Sequence, residues 1–146
     1  MISIRTMTEA DIPQVAQMEK TVFSDPWSEK VYRETFALPG VEYVVAIDDE
    51  TIVGAAGVRN IVGTGEITNV MVLPRYRNRG IGRKMMEEII LRGRDLGATD
   101  LTLEVRAQNT AAQRLYESLG FKCEGVRPGF YRNPSEDAKI YWLYSI

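Results

Sequence analysis

The stretch from Glu66 to Val105 constrains the fold of this chain more than any other. EITNVMVL (Glu66 to Leu73) is apolar and β-branched and runs into Pro74, so it reads as a strand. From about Gly80 to Leu96, Met85, Met86, Ile89 and Ile90 recur at helical spacing, and Gly97 stops the helix. Leu101 to Val105 alternates and reads as a further strand. A strand, a helix and a strand in close succession return the second strand parallel to the first.

The flanking sequence supplies antiparallel partners. Ile2 to Arg5 alternates as a short strand. Thr8 can cap a helix over about Glu9 to Thr21, with Ile12, Val15, Ala16 and Met18 inward, and Ser28 can cap a second helix that ends before Pro39-Gly40. Glu42 to Ile47 and Ile52 to Val58 are strands around the turn Asp48-Asp49-Glu50. Asn109 caps a helix to about Ser118, Gly120 ends it, and two strands follow near Lys122 to Val126 and Lys139 to Tyr144. The order β, α, α, β, β, β, α, β, α, β, β predicts an α+β (mixed α/β) fold, a mixed sheet with helices on its faces. No linker, repeat or low-complexity tract interrupts it, so residues 1–146 read as a single domain.

Composition narrows the chemistry. The 146 residues include no histidine and one cysteine, Cys123. That excludes Ser-His-Asp and Cys-His hydrolysis, His-ligated zinc, a cysteine metal cluster and an internal disulfide. Cys123 reads as a packing residue, because it has no histidine to activate it. No apolar run nears the roughly 20 residues of a membrane span, and the acidic start MISIRTMTEADIPQ lacks a signal-peptide core, so a cytoplasmic protein with no membrane partner is expected. A formal net charge of −2 gives no reason to expect direct nucleic-acid binding.

Charge is unevenly placed. Arg75, Arg77, Arg79, Arg83 and Lys84 crowd residues 75 to 84 without one acid, which leaves 13 basic against 20 acidic residues elsewhere. A helix N-terminus already carries partial positive charge, so cations there are unfavourable unless an anion joins them. Gly80 and Gly82 let backbone N–H groups approach a ligand closely. The combination describes a phosphate or pyrophosphate site, against the plainer reading of a solvated basic loop. The loop ends in Gly-Arg-Lys-Met and not Gly-Lys-Ser/Thr, and it lacks the third glycine of a dinucleotide fingerprint. The acidic remainder suits a cationic second substrate.

V-M-V-L-P-R-Y-R-N-R-G-I-G resembles the acetyl-CoA-binding motif of the GNAT N-acetyltransferases, Arg/Gln-x-x-Gly-x-Gly/Ala after a strand, through Arg77, Gly80 and Gly82. The resemblance covers essentially the whole chain. DPWSEK, LEVRAQNTAAQRLYESLGF and Y-R-N-P-S-E-D-A place it near the members that acetylate protein N-termini. It implies a central twisted sheet whose parallel strands splay around acetyl-CoA as cosubstrate, with no metal. Val70, Met71 and Val72 match the strand that binds the pantetheine arm and acetyl carbonyl. Asn78, Arg79, Gly80, Ile81, Gly82 and Arg83 match the pyrophosphate loop, and Asn109 a further cofactor contact. Glu104 matches the general base and Tyr116 the general acid. The implied acceptor is a protein N-terminus, foremost the N-terminal alanine of the eighteenth small-subunit ribosomal protein. Phe130-Tyr131 stands where two tyrosines are usual among such members at the peptide-binding face.

The residues alone leave alternatives open. Glu104 faces away from Leu103 and Val105, where apolar neighbours would raise its pKa, or it is a strand-end glutamate paired with Arg106 or solvent. Tyr116 is a phenol able to protonate a departing thiolate, or a core aromatic. Asn109 is a cap, a cofactor contact, or both. Trp27 reads as an anchor under the helix pair. Acetylation of lysine side chains or small amines, and a non-catalytic acyl-CoA-binding module, are the rival functions.

Overall fold

The computed structural model describes residues 1–146. Eleven elements follow one another: β1 (Ile2–Thr6), α1 (Ile12–Val22), α2 (Glu29–Phe36), β2 (Val41–Asp48), β3 (Thr51–Ile61), β4 (Thr64–Val72), α3 (Ile81–Asp95), β5 (Asp100–Arg106), α4 (Thr110–Ser118), β6 (Lys122–Tyr131) and β7 (Glu136–Leu143). The seven strands form one sheet in the order β1-β2-β3-β4-β5-β7-β6. Every neighbouring pair is antiparallel except β4 and β5.

That one parallel pair is brief. Thr64, Gly65 and Glu66 pair with Asp100, Leu101 and Thr102, and there the ladder ends. Beyond it β4 stays bound to β3 as far as Val72, and β5 stays bound to β7 as far as Arg106. The sheet therefore opens between its two halves. The mouth of the opening faces the start of α3, because the crossover leaves β4 at its C-terminal end.

Two apolar layers hold the halves. On one face α3 and α4 bury Ile81, Met85, Met86, Ile89 and Tyr116 against Val44, Val58, Ile67, Leu101, Leu103 and Tyr141. On the other, α1 and α2 bury Ile12, Val15, Met18 and Tyr32 against Tyr43, Val45, Ala55 and Met71. This second layer draws no residue from β5, β6 or β7. Gly57 on β3 belongs to it for a steric reason: a Cβ there would run into the ring of Tyr43.

Several boundaries differ from the sequence expectation. The first helix begins with a 3₁₀ turn over Glu9–Asp11, and the α-helix starts only at Ile12. Pro13 lies in its first turn, where a missing N–H costs nothing. Asp11 accepts the Thr8 N–H at 2.8 Å and two Arg5 N–H groups at 2.7 and 2.9 Å, which fastens this entry to β1. The β3 strand runs on to Ile61, and the last hairpin is longer than expected, with β6 reaching Tyr131 and β7 starting at Glu136. Cys123 is not a packing residue. It is exposed on β6, because β6 is an edge strand with little over it.

Candidate active site

The basic segment folds as a 3₁₀ turn (Pro74–Tyr76) and a tight loop into α3. Gly80 is the N-cap residue of α3, in the left-handed conformation (φ 78°), and no side chain caps the helix. The N–H groups of Ile81, Gly82 and Arg83 are thus without intrahelical acceptors, and the first helical bond of this turn runs from the Lys84 N–H to the Gly80 carbonyl. A Cβ on Gly80 would meet nothing within 4 Å, so the approach to these donors is open. Asn78 also has positive φ (64°), which asparagine tolerates better than most residues.

The arginines divide their work. The Arg77 Nε donates to the Val72 carbonyl at 3.1 Å, tying the loop to the end of β4. Arg79 donates to the Arg75 carbonyl and lies over the Tyr76 ring at 5.0 Å. Tyr76 in turn donates to Asp48 at 2.6 Å, which anchors the loop to the β2–β3 turn. Arg83 donates to Ser118 at 2.8 Å, joining α3 to α4 across the mouth of the opening. Backbone donors ringed by positive charge therefore stand at the end of the splayed strands, an arrangement that fits a pyrophosphate.

Along β4 the Leu73 N–H binds the Val53 carbonyl on β3, so the Val72 peptide groups turn the other way, into the opening. Met71 is buried and fixes the strand, while Val70 and Val72 are half-buried along its edge. Before them lies a bulge: Ala55 pairs with Met71 but Gly57 with Thr68, and Asn69 takes a left-handed conformation (φ 57°).

Glu104 lies on β5 beyond the residues paired with β4, and Tyr116 lies on α4. Glu104 is exposed, not enclosed by apolar groups, because the layer under α1 and α2 stops at β4. It has no ion-pair partner. Arg106 is engaged elsewhere, with Glu136 at 3.2 Å, with the Arg132 carbonyl, and over the Tyr131 ring at 4.4 Å. Tyr116 is 5% exposed, between Phe121 and Tyr141. Its hydroxyl bonds to no other protein group, unlike that of Tyr141, which donates to Glu117 at 2.8 Å. Burial, and then the nearby Tyr131, push the Tyr116 phenol well above its ordinary value. The phenol therefore stays protonated across the physiological range.

Asn109 caps α4, accepting the Ala112 N–H at 3.2 Å through Oδ1, which leaves its Nδ2 donors unused within the chain. Trp27 packs edge-on against Tyr32 at 5.4 Å, as an anchor under the helix pair should. Tyr131 is a residue whose surroundings were not legible in the sequence. Burial, and then the charge of Glu104, push its phenol up to about 12, so it stays protonated across the physiological range.

Residues 12–121 match the Acetyltransferase (GNAT) family, and the chain belongs to it. It is an acetyltransferase by family, with the mixed sheet and splayed parallel pair of that fold. The N-alpha-acetyltransferase RimI of Mycobacterium tuberculosis is 36% identical over 94% of this chain and 89% of its own length. The crystal structure of the ribosomal-protein-S18-alanine N-acetyltransferase from Escherichia coli superposes with a TM-score of 0.89 at 30% identity, covering 99% of this chain and 94% of that one. The crystal structure of Arabidopsis thaliana NAA60 in complex with acetyl-CoA shares the fold at a TM-score of 0.89 and 18% identity, over 99% of this chain and 98% of that one.

Proposed function

We propose that this chain moves an acetyl group from acetyl-CoA to the N-terminal amine of a protein, with the N-terminal alanine of ribosomal protein S18 as acceptor. The observation that carries the reading is the three-residue parallel pairing of β4 and β5, which opens toward an uncapped helix N-terminus. The relatives named for this activity span nearly the whole chain. The reading places the enzyme in the cytoplasm, beside the ribosomal proteins.

Acetyl-CoA, when bound, supplies an activated thioester carbonyl. The N–H groups of Ile81, Gly82 and Arg83 hold its pyrophosphate, with Asn78, Arg79 and Gly80 shaping the loop. Asn109 adds a donor from the start of α4. Val70, Met71 and Val72 present the strand edge to the pantetheine arm, and a backbone N–H near Met71 and Val72 polarises the carbonyl oxygen. As the new C–N bond forms and the C–S bond breaks, Glu104 takes the amine proton through water and Tyr116 gives a proton to the departing sulfur. An α-amine, with a pKa near 8, is about one-tenth neutral at pH 7, whereas a lysine near 10.4 is almost wholly charged. A carboxylate open to water therefore suits an α-amine acceptor.

The test is acetyl-CoA turnover with a peptide carrying the S18 N-terminus, its N-acetylated form and a lysine-bearing control. Transfer to the free α-amine alone is expected. Transfer to the lysine peptide with none to the α-amine would overturn the acceptor assignment.

A further inference from the structure

A polar cluster unassigned to any chemical step is buried on the α1 side of β4. Glu19 on α1 is 1% exposed amid the apolar layer, yet its carboxylate is fully used. Oε2 accepts the Trp27 backbone N–H; Oε1 accepts the Tyr32 hydroxyl, and the Asn69 Nδ2 at 2.9 Å. The Oδ1 of Asn69 accepts the Tyr43 hydroxyl at 3.1 Å. Three donors on one carboxylate leave it no role as a base, and a buried carboxylate persists only when so satisfied.

Asn69 is the bulge residue of β4, held at φ 57°, one residue before Val70. Both ends of its side-chain amide are fastened, to α1 and to β2. The same carboxylate holds the backbone at Trp27, in the α1–α2 connection, whose Ser24 receives a bond from Arg106 on β5. Trp27 and Tyr43 also line a cavity of about 210 Å³ beside β4, with Arg59, Glu66 and Thr68. One buried carboxylate thus ties the β4 bulge to α1, α2 and the α1–α2 connection.

We infer that Glu19 and Asn69 are positioning residues, which lock the β4 bulge so that the Val70–Val72 backbone is held in register for acyl transfer. This rests on the function proposed above. The discriminating variant is Asn69→Gly. Glycine accepts the left-handed conformation freely, so the turn is kept while both side-chain bonds are lost. With the S18 peptide, kcat is expected to fall about tenfold or more while KM for acetyl-CoA changes by less than about threefold, since small misplacements at a reacting centre are costly. Tyr43→Phe, a milder change, should lower kcat in the same sense. Combined with Asn69→Gly it should cost nothing further, because its hydroxyl acts through Asn69.

Amide exchange read at Met71 and at Leu73, which donates to the Val53 carbonyl across the β3–β4 ladder, needs no acceptor. Faster exchange at these two residues in Asn69→Gly is expected. Unchanged exchange would overturn the inference whether or not the wild type turns over the peptide. An unchanged kcat beside a lowered melting temperature would show a purely structural role and overturn it as well. No turnover by wild type, with the exchange difference present, would count against the acceptor and not against the lock.

Discussion

Removing the Tyr116 hydroxyl separates chemistry from stability in a way few substitutions can. The ring is 5% exposed and packs on Phe121 and Tyr141 at centroid distances of 6.0 and 6.3 Å, contacts that phenylalanine keeps. The hydroxyl has no hydrogen-bond partner within the chain, so Tyr116→Phe breaks no intramolecular bond. Its stability cost should fall within about 0.5 kcal/mol, below the roughly 0.5–1.5 kcal/mol of an ordinary hydrogen bond. Tyr141→Phe is the contrast: it loses the bond to Glu117 and should cost about 1 kcal/mol, or about 3 °C in melting temperature for a chain this size. For catalysis the order reverses. A positioned general acid contributes roughly 10²–10⁴ in rate, or about 2.7–5.4 kcal/mol of barrier. Tyr116→Phe should therefore lose at least about a hundredfold in kcat, with KM for acetyl-CoA nearly unchanged because the ring still fills its place. Steady-state kinetics with the S18 peptide and thermal unfolding of the same preparations measure both. A Tyr116→Phe enzyme that kept half of the wild-type kcat would refute the assignment of the acid.

Three further outcomes follow from the geometry. Glu104→Gln should abolish most turnover yet leave urea unfolding unchanged, since the exposed carboxylate has no partner to lose; a large drop in stability would mean that it serves the fold. Gly80→Ala should raise KM for acetyl-CoA and cost about 1 kcal/mol in stability, because the φ of 78° is unfavourable for alanine although no neighbour obstructs its Cβ; calorimetric binding of acetyl-CoA checks it. Asp11, whose carboxyl is held at about 2, first by the Arg5 hydrogen bonds, contributes stability above the ordinary aspartate pKa near 3.9 and loses it as pH falls toward 2. The difference in urea midpoint between wild type and Asp11→Asn should thus be full at about pH 5 to 7 and shrink below about pH 4; a difference constant with pH would contradict the ion pair.

Periodicity and local punctuation carried the element order from the sequence alone. The strand before Pro74, the helix from Gly80 to Gly97 and the Asn109 cap all depend on interactions within a few residues, so they can be read without a fold. The expectation of an anion site at the basic loop before a glycine-opened helix rests on local sequence for the same reason. What distance decided could not be read that way. The divergence of β4 from β5 after Glu66 and Thr102 depends on each strand keeping its other partner. The exposure of Cys123 follows from β6 being the sheet edge, and that of Glu104 from the apolar layer under α1 and α2 ending at β4. Glu19 on an apolar helix face and Asn69 within a strand pattern are each a local misfit 50 residues apart. Only the tertiary structure joins them, because a buried carboxylate must find its donors wherever the fold brings them. The chain's local physics determined its elements and the basic, glycine-opened start of α3. The packing of the two half-sheets decided that β4 and β5 part beside that loop and which side chains stay exposed there.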